Sequence, residues 1–275
     1  MKLVTKQLKN FFIFSFLGSW IIWSMAVLKS YEIINVSISN ETFKHFGSYA
    51  PSVVALILTF LYGGRKDLTY FLKRGILFKF DIKLYFYMFI LVPGILVCSY
   101  FFTKIIWNIN YELLLMESLL KNPLLIFIVF FYILFLGGPL GEEFGWRGFA
   151  LNRLLRIYNP FTSSIVLGII WSVWHLPLFF IKGSAQQNIN FAGYVIFTTL
   201  ITILITILFL KTNGSVFAAI IFHATSNLSL GLFPIFSTLQ GGVSILFFLL
   251  LITSIITISN KDIIFNKQEI NYLHN

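Results

Sequence analysis

The chain has 275 residues, of which 58% are hydrophobic and 11% charged, and carries a net charge of +10. An ordinary soluble domain has about a quarter of its residues charged, so the length is better divided among membrane spans of roughly 20 apolar residues each. The basic residues flank apolar runs and form no separate domain, which excludes a nucleic acid as partner and points to the lipid bilayer.

In chain order, MKLVTKQLKN precedes the run FFIFSFLGSWIIWSMAVL. That run is too long for an ordinary signal h-region and is read as an uncleaved first span. Eight apolar segments are expected: 11–28, 47–62, 84–103, 123–141, 160–181, 191–210, 214–231 and 242–259. The second and seventh are short and carry polar residues, so both are expected inside a bundle. Cys98, the single cysteine, is expected in a buried packing role. Segment 63–83 mixes basic and aromatic residues and reads as an interfacial helix or turn on the inner face. The sizeable outer connections are read as 104–122 and 182–190.

Charge sets the orientation. With an inner N-terminus, the inner segments hold Lys2, Lys6, Lys9, Arg65, Lys66, Lys73, Arg74, Lys79, Lys83, Arg147, Arg153, Arg156, Lys211, Lys261 and Lys267. The outer ones hold Lys29, Lys44, Lys104, Lys121 and Lys182. This bias of fifteen to five predicts both termini in the cytoplasm. The fold class expected is all-α: a polytopic integral membrane helical bundle of about eight transmembrane helices. It forms one membrane domain over 1–275, with N-terminal spans 11–103 and a C-terminal span 242–259. A composition rich in Phe, Ile, Lys and Asn fits an AT-rich bacterial genome, so a bacterial plasma membrane is the expected location.

Four places interrupt the apolar pattern. The uncharged run LLIFIVFFYILFLG ends at GPLGEEFGWR, which sets Glu142 beside Glu143 in a chain of ten acidic residues. Ionisable groups inside a membrane are costly and are functional candidates by default. Glu143 and Arg147 are four apart and can pair on one helical face. Glu142 points about 100° away and has no partner nearby in sequence, which suits a general acid or base. Residues 123–157 are too long for one straight span, and Gly137-Gly138-Pro139 marks a break. His175 closes WSVWH, and the midpoint of 142 and 175 falls on the turn Tyr158-Asn159-Pro160. If 142–157 is largely helical, antiparallel helices bring Glu142 and His175 to one depth. In HATSN, His223 and Asn227 share a helix face, with Ser226 and Ser229 as interhelical polar glue.

Such a set can hydrolyse an amide. Glu142 takes a proton from water, His175 orients that water or passes the proton on, and His223 with Asn227 stabilises the oxyanion. Alternatively, Glu142, His175 and His223 hold a divalent metal such as zinc, with an open position for water. The helical His-Glu-x-x-His zinc spacing is absent.

EEFGWR at 142–147, WSVWH at 171–175 and HATSN at 223–227 together resemble the CPBP family of intramembrane proteases. This family includes the CAAX prenyl proteases and bacterial relatives linked to bacteriocin immunity. The motif core covers about 123–231. The family pattern EExxxR, FxxxH, HxxxN is met except that Trp171 stands where Phe is common. The resemblance implies Glu142 as the essential glutamate. It also implies His175, His223 and Asn227 as site residues, and Glu143, Arg147 and Trp171 as supporting ones. A peptide or membrane-protein substrate is expected. Two competing readings are a non-enzymatic membrane scaffold or immunity factor that keeps the motif for packing, and a transporter.

Overall fold

The computed structural model describes residues 2–267; residues 1 and 268–275 of the expected domain lie outside the described residues. The described chain is helical without strands. Its helices are α1 (Lys2–Ser30), α2 (Asn40–Ser48), α3 (Ala50–Lys73), α4 (Ile82–Trp107), α5 (Leu114–Lys121), α6 (Leu125–Leu136) and α7 (Pro139–Glu143). A π-helical segment, Phe144–Leu151, leads to α8 (Asn152–Leu154). Then follow α9 (Pro160–Trp174), α10 (Phe191–Lys211), α11 (Val216–Leu232), α12 (Leu239–Ser259) and α13 (Lys261–Ile264).

Among the described residues, seven helical stretches are long and apolar enough to cross a membrane, and α11 adds an eighth apolar helix of 17 residues. Each falls on one of the eight expected segments. Phe14, Leu17 and Ile21 on α1, Phe127, Ile128 and Phe131 on α6, and Phe247 and Leu250 on α12 lie exposed on the outer surface. A lipid-solvated bundle requires such a surface. The chain is an integral membrane protein.

The centre of the bundle is α10, buried almost continuously from Phe197 to Phe209. Its threonines are cheap to bury because Thr198, Thr202 and Thr206 bond back to carbonyls of their own helix. Helix α11 is also buried along most of its length, as expected of the seventh segment.

The second segment departs from expectation. Helix α3 exposes Val53, Ile57, Phe60 and Leu61, so one face meets lipid. Gly64 breaks α3 with φ 69°, which sets off residues 65–73 as a short helix within the basic, aromatic segment. Arg74 then turns inward, and its Nε and Nη2 donate to the Gly214 carbonyl at 2.8 and 2.7 Å.

Cys98 is exposed on α4, contrary to the expected buried role. Its neighbour Ser99 takes the inward face instead. Ser226 and Ser229 are not interhelical glue either. Their hydroxyls bond to Phe222 and Thr225 one turn back on α11. A third outer connection, 31–49, was missed. It contains α2, whose N-cap Ser39 accepts from the Thr42 N–H. That cap is the sequence signal that could have located it.

Candidate active site

The site is built around the expected break before Glu142. The Gly137 N–H closes α6 on the Ile133 and Tyr132 carbonyls. Gly138 takes φ 108°, a conformation open to glycine. A Cβ at Gly138 would run into Glu142 Oε1, so the position is restricted twice over. Pro139 then starts α7, where a missing N–H is harmless. A Cβ on Gly141 would meet the backbone of Ser48 and Tyr49, so this turn packs directly onto the start of α3. Beyond Glu143 the helix widens into the π-helical segment, a local form frequent at functional sites. Residues 142–154 are therefore helical but not uniformly α, and 155–157 already belong to the turn.

The turn at 155–159 reverses the chain as expected. Asn159 caps α9 by accepting from the Thr162 N–H at 2.8 Å, with Pro160 in the first turn. Helix α9 ends at His175. Glu142 Oε2 stands 3.9 Å from His175 Nε2.

Each group is held by other contacts. Trp171 Nε1 donates to Glu142 Oε2 at 2.8 Å, so Glu142 has the partner that its sequence neighbourhood lacks. His175 Nδ1 lies 2.8 Å from the Trp171 carbonyl. A carbonyl only accepts, so Nδ1 carries the proton and Nε2 keeps a lone pair in the neutral ring. Trp23, Trp171, Trp174 and Tyr194 surround this imidazole and restrict its rotation.

Glu143 does more than pair with Arg147. Its Oε1 accepts from Arg147 Nη1 at 2.7 Å and from His223 Nδ1 at 2.8 Å. Arg147 Nη2 also donates to Thr202 Oγ1 at 3.3 Å, and its guanidinium lies 4.4 Å from the Trp171 ring centroid. Glu143 and Arg147 are fully buried, a situation that requires pairing. Asn227 is less free than expected, because its Nδ2 donates to the Gly137 carbonyl at 3.2 Å. One amide hydrogen is thereby committed to the break, and the other remains for a ligand.

Glu142, Trp171, His175, His223 and Asn227 all line one cavity of about 620 Å³. This lies within the usual range of ligand pockets, about 300–1,000 Å³. Its rim includes Glu41, Lys44 and His45 of the overlooked α2. A second groove of about 450 Å³, between α9, α10 and α12, is lined by apolar side chains and hydroxyls, without an acid or imidazole.

Among the described residues, no group of three or more His, Cys, Asp or Glu side chains is placed to hold a metal ion. Glu143 and Trp171 hold His223 and Glu142 in separate bonds instead.

Comparison with known proteins bears on this same stretch. The family model described as type II CAAX prenyl endopeptidase Rce1-like matches residues 123–229. CAAX prenyl protease 2 of Methanococcus maripaludis is 36% identical over 135 residues, 46% of this chain and 48% of that protein. Lysostaphin resistance protein A of Staphylococcus epidermidis is 26% identical over 239 residues, 82% of this chain and 59% of that protein. The Staphylococcus haemolyticus protein of the same name is 31% identical over 85 residues, 30% of this chain and 22% of that protein. The chain thus spans about half the length of the first two relatives and less of the third. The three motifs and the matched stretch coincide: over residues 123–229, less than half of the chain, the sequence is similar to the Rce1-like CAAX prenyl endopeptidases.

Proposed function

We propose that the chain is an integral-membrane endopeptidase that hydrolyses a peptide bond in a peptide or membrane-associated protein. The observation that carries this reading is the 3.9 Å gap between Glu142 Oε2 and His175 Nε2, with both groups oriented by Trp171. A water can bond to both. Glu142 accepts one of its protons and the His175 lone pair orients the other. The water oxygen attacks the scissile carbonyl carbon. As the tetrahedral adduct collapses, the C–N bond breaks and Glu142 returns its proton to the leaving nitrogen.

The developing oxyanion is met by the uncommitted amide hydrogen of Asn227 and by His223. With Nδ1–H on Glu143, His223 donates from Nε2 only as the imidazolium. Donors aimed at a developing charge in a water-poor cavity are typically worth 10²–10³ in rate each.

The test compares cells carrying the wild-type chain with cells carrying Glu142→Gln, which is nearly isosteric. Uncut peptides accumulate in the variant. Undiminished cleavage by the variant rejects Glu142 as the base.

The second reading is a non-enzymatic scaffold or immunity factor. One observation favours it: the 26% match over 82% of the chain is to a protein named for resistance rather than for proteolysis. On that reading the phenotype survives Glu142→Gln. The name of the archaeal relative makes a prenylated tail one candidate substrate.

A further inference from the structure

The bundle has two ends of different charge, and the active-site cavity reaches only one of them. At the first end, Gln7 accepts from Arg153 Nε, Asn10 donates to Tyr62, Ser215 to the Leu77 carbonyl, and Asn159 to the Phe265 carbonyl. These bonds gather the start of α1, the connectors 74–81, 155–159 and 212–215, and Phe265 after α13 on one side. At the second end, the Lys182 N–H donates to Ser30 Oγ and Tyr111 bonds to Thr238. The connectors 31–39, 108–113, 182–190 and 233–238 meet there.

The twenty lysines and arginines divide sharply between these ends. Fourteen belong to the first, and Arg147 is buried within the site. Five belong to the second, and three of those are already engaged, Lys182 with its Nζ 4.3 Å from the Tyr31 ring centroid. Lys29 donates to the Val36 and Ile38 carbonyls, and Lys44 pairs with Glu41 at 2.6 Å. An excess of Lys and Arg in short connectors marks the cytoplasmic side. By that rule the second end faces away from the cytoplasm.

The cavity runs from buried Glu142 to that second end. Its rim is formed by Lys44 and His45 of α2, Gln186 and Asn188 of the 182–190 connector, and Ser237 after α11. No residue of the cation-rich connectors lines it. The rim's one lysine is paired with Glu41, and its other polar groups are amides, hydroxyls and an imidazole. Such a rim offers hydrogen bonds to an uncharged peptide backbone and no free cation for a phosphate or a cluster of acids.

From this geometry we infer that the cavity opens on the extracytoplasmic face and receives an extended peptide segment presented there, not the tail of a cytosolic protein. That the occupant is cut rests on the endopeptidase reading; the direction of the opening does not.

Labelling of single cysteines tests it. In a Cys98→Ser background, Gln186→Cys and Ser237→Cys report the cavity mouth, and Asp67→Cys and Lys79→Cys report the opposite end. A membrane-impermeant maleimide added to intact cells should modify the first pair and reach the second pair only after permeabilisation. The reverse pattern overturns the inference, as does equal labelling of both pairs in intact cells. The pattern is expected to be the same with Glu142→Gln, because it needs no turnover. A second readout concerns entry. Coupling the same reagent to Ser237→Cys from outside should reduce cleavage at least tenfold relative to unlabelled Ser237→Cys. Undiminished cleavage after complete labelling overturns entry by this mouth. Absence of cleavage before labelling counts against the endopeptidase reading and leaves the orientation result standing.

Discussion

Trp171 orients both Glu142 and His175, its indole N–H bonding Glu142 Oε2 at 2.8 Å and its backbone carbonyl accepting from His175 Nδ1 at 2.8 Å. The exchange of the family's common Phe for Trp at this position is therefore more than a swap of one aromatic ring for another. It adds a donor that Phe cannot supply.

Trp171→Phe removes the indole donor and keeps both the ring beside Arg147 and the backbone carbonyl. A hydrogen bond to a charged group is worth about 1.5–3 kcal/mol. The expected result is a fall in kcat of about 10- to 100-fold at nearly constant KM, with at most a modest loss of thermal stability in detergent. Equal kcat for the two proteins would remove Trp171 from the positioning of Glu142.

The two adjacent glutamates should separate by the kind of damage they cause. Glu143→Ala leaves Arg147 buried without its ion partner, a loss of about 3–5 kcal/mol. The same substitution frees the His223 ring from its Nδ1 bond. Glu142→Ala removes a buried carboxylate together with its one hydrogen bond, so the bond's about 1.5–3 kcal/mol is offset by relief of the acid's desolvation; the net loss should be smaller than for Glu143→Ala, while cleavage is abolished. Thermal unfolding of the two purified variants in the same detergent checks the order. A larger loss for Glu142→Ala would mean that Glu142 is the structural acid of the pair.

Gly138→Ala should lower activity through the break. The residue would be forced to φ 108°, a strain of about 1–3 kcal/mol, and its methyl would push on the Glu142 carboxylate. Gly94→Ala in α4 is the control, since a methyl there meets nothing within 4 Å. Retained cleavage by Gly94→Ala and loss by Gly138→Ala is the expected pair of results. Full activity in Gly138→Ala would show that the break tolerates an ordinary side chain.

Much of the helical layout was legible because membrane spans have a strong one-dimensional signature. Every backbone group must be satisfied within its own helix, so long apolar runs announce themselves. The break at Gly137-Gly138-Pro139 was legible from residue chemistry. The proximity of Glu142 and His175 followed from counting to the Asn159-Pro160 turn. Helix α2 was overlooked because nine amphipathic residues between two spans give only a weak signal, although their Ser cap was present. Cys98 was misplaced because α4 is apolar all round, and hydropathy alone does not say which face meets lipid and which meets protein.

The linear chain by itself determined the number and approximate limits of the apolar helices, the charge asymmetry of their connectors, and the identity of the polar residues set among them. These are local properties, set by composition and spacing. Tertiary structure alone decided the partnerships: Glu143 shared between Arg147 and His223, Trp171 turned onto Glu142, and Asn227 bonded across to Gly137. It also decided that one cavity joins Glu142 to α2. Those contacts link residues 29 to 90 positions apart, apart from the local Glu143–Arg147 pair, and depend on how helices rotate about their axes. In a chain apolar on nearly every face, that rotation is settled only when the helices pack against one another.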